Sequence, residues 1–296
     1  MATTVLDPDW VARYSRGPAE STVSRAISLH QNVRDLLGQG PHETLLQGSY
    51  KNDTALAEMH DVDVLAIRND ITRSRLPLFR SINWAAIFEE IEKRLEGDSR
   101  YAGKWKRNDK CITLETGVHV DIVPAVGAKD PARDPIIIHS FSANSEKENW
   151  PRCHYENGAA KNTRCGANFK PTVRLFKRWV RCHFWPTKVA PSYYVECLLH
   201  SLPDACFSGD LAQNFLAIGK TILGRHDVDG GYSLTKLPRL DGGGDLFTPD
   251  EWSRKLFVVF LARLRESIQY GASAVSQGYA DRAKAAWRMA FAGFEP

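Results

Sequence analysis

Two aspartates one residue apart, Asp61 and Asp63, stand at the head of the otherwise apolar run Asp61-Val62-Asp63-Val64-Leu65-Ala66-Ile67. Carboxylates are poor strand formers and repel one another at close range, so a cation is expected between the members of such a pair, although an Asp-x-Asp alone is more often a solvated strand edge. Side chains two apart on a strand point to one face. Two carboxylates on one face offer the hard oxygen ligands that Mg2+ prefers. A third, Asp121, lies inside a second apolar run, Val118-His119-Val120-Asp121-Ile122-Val123. If the two runs are neighbouring strands, three carboxylates converge. Such a set can hold two Mg2+ ions roughly 3.5–4 Å apart, the geometry of phosphoryl transfer by the two-metal route.

Upstream, the short apolar stretch Thr44-Leu45-Leu46 leads into Gly48-Ser49. Gly48 lets the backbone approach a phosphate closely, and the Ser49 hydroxyl and neighbouring amides can donate to its oxygens. A Gly-Ser pair alone carries no signal. Gly-Ser at a strand end, followed by an Asp-x-Asp strand and a later strand aspartate, does. His60 and His119 adjoin the aspartates; neither is assigned as a ligand, because magnesium favours oxygen.

The elements that must position these residues change along the chain. Residues 21–37 and 82–96 carry apolar side chains at helical spacing, the latter with Trp84, Ile87, Phe88, Ile91 and Leu95 on one face. Residues 111–115 and 118–123, joined by Thr116-Gly117, read as a hairpin, and Ile136-Ile137-Ile138 as a further strand. From Pro171 onward the spacing is helical, over 171–184, 192–201, 209–223 and 249–270. The last opens on Thr248-Pro249-Asp250-Glu251, a capping box with proline at the first helical position. The Gly-rich stretch 229–245 lacks the strand-to-helix setting of a phosphate loop and reads as a connector. This composition shift divides the chain into residues 1–160 and 161–296.

Bulk properties exclude several classes. With 296 residues, 25% charged and 43% hydrophobic, the composition is that of an ordinary globular protein. A net charge of +4 permits an anionic ligand without announcing a nucleic-acid binder. Six scattered cysteines in a chain of this size point to a reduced, intracellular protein. The N-terminal MATTVLDPDWVARYS has no apolar core of a signal peptide, and no run approaches the roughly 20 apolar residues of a membrane span. A soluble, cytoplasmic protein is expected.

The motifs GSYKNDTA, HDVDVLAI and GVHVDIVPAV, with FKPTVRLFKRWVR, APSYYVECLL and RAKAAWRMAF in the second half, resemble the polymerase-β-like nucleotidyltransferases. More narrowly, they resemble the bacterial CD-NTases, the cyclic-oligonucleotide synthases related to cyclic GMP–AMP synthase and oligoadenylate synthase. That resemblance implies an α+β fold. A nucleotidyltransferase core, a mixed sheet with flanking helices, would be followed by a C-terminal helical bundle like the second domain of oligoadenylate synthase and poly(A) polymerase. The active site would lie in the cleft between them. It further implies that Asp61 and Asp63 bind both metals and Asp121 the ion that activates the attacking ribose hydroxyl. Ser49, beside Gly48, would touch the donor triphosphate. Lys177 matches a phosphate-contacting lysine, Ser192 a phosphate-contacting serine and Tyr193 an aromatic that stacks on a base. The implied cofactor is Mg2+, two ions, with Mn2+ able to substitute. The implied substrates are nucleoside triphosphates, ATP among them, and the implied setting is antiphage signalling with a regulatory partner protein. Catalysis would need no nucleic acid, and a nucleic-acid activator stays open.

The chain departs from its relatives in carrying Asn52-Asp53-Thr54 where many have Arg-Gly-Thr. Cys153, His154, Cys165, Cys182 and His183 lie where animal cyclic GMP–AMP synthase inserts a zinc-binding element. They lack paired Cys-x-x-Cys spacing, so structural zinc is not expected and buried thiols are. Lys104, Lys106, Arg107 and Lys110, around Trp105, read as a solvated hairpin approach rather than an RNA-binding edge. Two other activities remain open: a transferase making linear oligonucleotides or extending an RNA or protein end, and an inactive relative that binds RNA or protein. The second is disfavoured because Ser49 and all three aspartates are present.

Overall fold

A computed structural model of the chain describes residues 8–58, 61–73, 81–116, 119–128, 134–228, 231–232, 236–247 and 252–296. In order, the elements are α1 (Pro8–Ala12), α2 (Glu20–Leu37), β1 (His42–Gln47), the single turn α3 (Gly48–Lys51), β2 (Asp61–Arg73) and α4 (Trp84–Glu96). Next come β3 (Trp105–Arg107), β4 (Ile112–Glu115), β5 (His119–Ala128), β6 (Ile136–Ser140), β7 (Ser145–Asn149), α5 (Pro151–Arg164) and α6 (Phe169–Phe184). The remainder is α7 (Ser192–His200), α8 (Leu211–His226), the small hairpin β8 (Asp227–Val228) and β9 (Gly231–Tyr232), α9 (Arg254–Ser276) and α10 (Ala280–Ala290). The chain divides into two units, Pro18–Glu156 and Met1–Gly17 with Asn157–Pro296.

The first unit is built on a mixed sheet in the order β1-β2-β5-β4-β3, with β6 joining β5 to β7. Only β2 and β5 run parallel; the other pairs are antiparallel. Strand alternation sorts the side chains. Val62, Val64 and Ala66 with Val120 and Ile122 are buried on one face, where α2 and α4 contribute Val33, Leu37, Phe88, Ile91 and Leu95. The opposite face carries Asp61, Asp63 and Asp121 at the strand starts and an apolar floor of Leu65, Ile67, Val123, Ala125 and Ile136 beyond them. The helix expected from residue 82 starts at Trp84, because Asn83 caps it by accepting from the Ala86 amide at 3.1 Å.

Two strands escape hydrophobic patterning. β7, Ser-Glu-Lys-Glu-Asn, and β3, Trp-Lys-Arg, are charged and terminate sheet paths, where charge discourages pairing with another chain. The basic cluster thus forms a strand edge. Arg107 is held by Glu92 at 2.5 Å, and the Trp105 indole donates to Glu96 at 2.9 Å.

The second unit is helical. Trp179, fully buried in the middle of α6, packs edge-on to Phe260 and donates its indole N–H to Ser267 at 2.8 Å. Residues 1–160 were expected to form one domain. Instead, residues 8–17 join the helical unit, because Trp10, Val11 and Tyr14 are buried in its core and Tyr14 stacks on Phe291 at 4.0 Å. α5, absent from the hydrophobic pattern, is a polar helix. Its Lys161 is buried and satisfied by the Leu202 carbonyl at 2.5 Å and Asp204 at 2.7 Å.

α9 begins at Arg254 rather than residue 249, with Ser253 as its N-cap; the expected capping box at 248–251 lies outside the described residues. The stretch read as a connector is anchored where it is described. Leu237, Leu240 and Leu246 are buried, and the Leu240 amide donates to Cys197 Sγ at 3.2 Å. All six cysteines are free thiols. Among the described residues, no helix is long and apolar enough to cross a membrane.

Candidate active site

Register decides whether the three carboxylates meet. β2 and β5 pair so that Asp61 lies opposite His119 and Asp63 opposite Asp121. In-register neighbours share a face, so all three aspartates project from one side of the sheet. Burial and the charges of Asp121 and Asp61 push the Asp63 carboxyl up from 3.8 to about 6. Burial, and then the Asp121 charge, push the Cys111 thiol up to about 11. In both groups burial is the larger cause and the neighbouring negative charge adds to it. Asp61 is exposed, and Asp63 and Asp121 are half-buried.

The Gly-Ser element is a helical turn rather than a loop. β1 pairs with β2 so that Gln47 lies opposite Asp63, and α3 starts at the next residue. Gly48 holds φ +74°, and a Cβ placed there would run into Asp63 Oδ2. Glycine is therefore needed twice over, for the left-handed backbone and for the close approach to the carboxylate. The turn is closed by Asn52 N–H donating to the Gly48 carbonyl at 3.1 Å and Thr54 N–H to Ser49 at 2.9 Å. Asp53 takes φ +55°, a left-handed conformation that aspartate tolerates better than most L residues. Asn52 is buried and its amide meets His154 Nε2 at 3.1 Å, so this loop is tied down within its own unit.

These observations test the fit of a divalent cation. The donor set is all oxygen, lies on one face and carries excess negative charge that a cation would neutralise, so the residues suit Mg2+. Among the described residues, no group of three or more His, Cys, Asp or Glu side chains is already gathered closely enough to hold a metal ion. At Asp121, Oδ1 accepts a hydrogen bond from Thr113 Oγ1. Thr113 was missed in the sequence. Counting the expected hairpin pair by pair, with Thr116-Gly117 as its turn, sets Ile112 across from Asp121; the observed register is shifted by one residue and sets Thr113 there instead.

The other expected contacts belong to the helical unit. Lys177 is buried on α6, 3% exposed, and its ammonium pairs with Glu196 of α7. Ser192 is the first, exposed residue of α7, with Pro191 rather than Ser192 as the N-cap. Tyr193 is half-buried; its hydroxyl donates to Asp241 at 2.7 Å, and the Arg239 guanidinium lies over its ring at 5.6 Å. The zinc candidates are dispersed: His154 meets Asn52, and His183 meets the Ala290 carbonyl at 2.9 Å.

A parallel strand pair that sets Asp63 beside Asp121, bordered by a glycine turn pressed on the first of them, fits the nucleotidyltransferase resemblance of the sequence motifs. Comparison with known proteins agrees. Residues 156–269 match the cGAS/DncV-like nucleotidyltransferase C-terminal helical domain. A cyclic UMP-AMP synthase of Rhodothermus marinus is 32% identical over 273 residues, covering 82% of this chain and 91% of that protein. A cyclic dipyrimidine nucleotide synthase of Legionella pneumophila is 28% identical over 218 residues, 65% of this chain and 72% of its own. The structure of the Rhodothermus marinus CdnE c-UMP-AMP synthase superposes with a TM-score of 0.75 at 27% identity, over 93% of this chain and 99% of that one. Escherichia coli MS115-1 CdnC with ATP shares the fold, with a TM-score of 0.78 at 17% identity over 98% of both chains. The chain belongs to the cGAS/DncV-like nucleotidyltransferases, the bacterial CD-NTases.

Proposed function

We propose that this chain condenses nucleoside triphosphates into a cyclic di- or trinucleotide second messenger with release of pyrophosphate. The observation that carries the reading is the in-register pair Asp63 and Asp121 with Asp61 on the same face, bordered by the Gly48 turn. Asp61 and Asp63 would hold both Mg2+ ions and Asp121 one of them. When bound, the metal supplies activation of the attacking ribose hydroxyl and neutralises charge on the α-phosphoryl group and the departing pyrophosphate.

The protein's own part is positioning. Gly48 and Ser49 bring backbone and hydroxyl donors to the edge of the carboxylates, where a donor triphosphate would be oriented. Ser192 stands at the start of α7, and exposed N–H groups of a helix N-terminus favour phosphate. Lys177 would reach the phosphates by exchanging its buried partner Glu196 for them, and Tyr193 would offer an aromatic face for a base. Since the relative that is 32% identical is a cyclic UMP-AMP synthase, UTP with ATP is the first pair to test. The product would serve antiphage signalling, with a regulatory partner protein controlling the enzyme.

The test is incubation with labelled ATP, GTP, CTP and UTP, singly and paired, in Mg2+ and in Mn2+. The expected outcome is a phosphatase-resistant product, identified by mass spectrometry and lost when Asp61→Asn and Asp63→Asn are combined. A product that persists in the double variant, or an exclusively linear product, overturns the proposal.

A further inference from the structure

Asp121 has a second residue behind its hydrogen-bond partner. Thr113 on β4 lies directly across from it in the antiparallel register, and Thr113 Oγ1 donates to Asp121 Oδ1. Behind Thr113, Asn108 Nδ2 donates to the same hydroxyl oxygen at 2.7 Å. A hydroxyl has one proton to give and accepts through its lone pairs. With an amide N–H directed at its oxygen, its own proton is committed to the carboxylate. The chain Asn108 to Thr113 to Asp121 therefore has a fixed polarity. The start of β4 braces Asn108: its amide donates to the Cys111 carbonyl at 2.8 Å, and its side chain reaches Cys111 Sγ at 4.0 Å.

The Thr113 bond engages one carboxylate oxygen, Oδ1, and the Cys111 thiol also reaches the Asp121 carboxylate. A carboxylate rotates about a soft torsion, and an unrestrained one beside two others would turn away from their charge. We infer that Thr113, with Asn108 behind it, is a positioning residue that holds the Asp121 carboxylate in a single orientation for its cation. This rests on the assignment of Asp121 as a metal ligand. Outer partners of metal-ligating carboxylates act in this way generally, and their loss typically costs 10–100-fold in metal affinity or activity.

The experiment compares wild type with Thr113→Val, which keeps the shape and removes the donor, Thr113→Ser, which restores it, and Asn108→Ala. Three quantities are read on the full chain: Mn2+ affinity without nucleotide, by the electron paramagnetic resonance of free Mn2+; the Mg2+ dependence of product formation at saturating triphosphate; and the melting temperature in chelator. Thr113→Val is expected to weaken Mn2+ binding and raise the Mg2+ requirement roughly 10–100-fold. Its triphosphate KM and its melting temperature in chelator should stay near those of wild type. Thr113→Ser should recover most of the loss, and Asn108→Ala should show a smaller loss of the same kind. Thr113→Val with wild-type Mn2+ affinity and Mg2+ dependence overturns the inference, and so does a loss that Thr113→Ser shares in full. A wild-type chain that binds no Mn2+ sinks the metal-site reading itself. Mn2+ binding without product sinks only the synthase reading and leaves the affinity comparison decisive.

Discussion

Asp63 offers the sharpest test of the site, because its charge costs stability that the metal-free protein cannot recover. Burial and the two neighbouring carboxylates raise its carboxyl from 3.8 to about 6. Below pH 3.8 the group is protonated in both folded and unfolded chains and contributes nothing. Between 3.8 and 6 the folded state binds more proton than the unfolded, so stability falls as pH rises. Above 6 the full penalty stands. A difference of roughly two units, at 1.36 kcal/mol each, makes that penalty about 3 kcal/mol. Asp63→Asn removes the charge while keeping the shape. In chelator at pH 8 it should therefore melt above wild type, by an amount of order 5 °C for a chain of this size. At pH 4 the two should coincide. Mg2+ or Mn2+ should raise the wild-type melting temperature at pH 8 and leave that of the variant nearly unmoved, with nucleotidyl transfer abolished. Calorimetric or fluorescence melts across pH 4–8, with and without metal, provide the measurement. If Asp63→Asn melts at or below wild type at pH 8 in chelator, or responds to metal as wild type does, the shared-cation reasoning is wrong.

Three further outcomes follow from the same geometry. Gly48→Ala should lower kcat by on the order of 100-fold, since its Cβ would displace the Asp63 carboxylate and its φ of +74° strains any L side chain; paired kinetics and melts read both effects. His42 is buried with neither ring nitrogen hydrogen-bonded, and burial lowers its pKa below the usual 6.5. Its stabilising contribution is present above pH 6.5 and lost as pH falls below it, so melts between pH 7.5 and 5 should flatten in His42→Leu. Gly219→Ala in α8 would overlap Ile268 of α9, and the overpacking cost of roughly 1–3 kcal/mol should exceed the roughly 1 kcal/mol gained in helix propensity, lowering the denaturation midpoint.

The parts of this molecule legible in its sequence are those governed by local period. Alternation placed Asp61 and Asp63 on one face, and helical spacing located α2, α4, α6, α7 and α8 to within a few residues. Polar elements were illegible for the converse reason. β3, β7 and α5 bury little apolar surface of their own, and partners distant in sequence hold them in place. The start of α9 was misplaced because Thr248-Pro249 supplied a strong local signal where Ser253 is the residue that caps. The same limit explains residues 8–17. Their aromatics carry no period that names a partner, and they are buried against the far end of the chain.

By itself, the sequence determined which residues could do chemistry: a set of oxygen ligands, a glycine that permits close approach, and strands to carry them. Tertiary structure alone decided that Asp63 stands beside Asp121, that Gly48 presses on Asp63, that Thr113 donates to Asp121 and that Lys177 is paired with Glu196. The physical reason is register. Sliding one strand by a single residue would keep every local preference and turn the carboxylates to opposite faces. Only the packing of the whole sheet, with Val62, Val64, Val120 and Ile122 buried together, selects the alignment in which they meet.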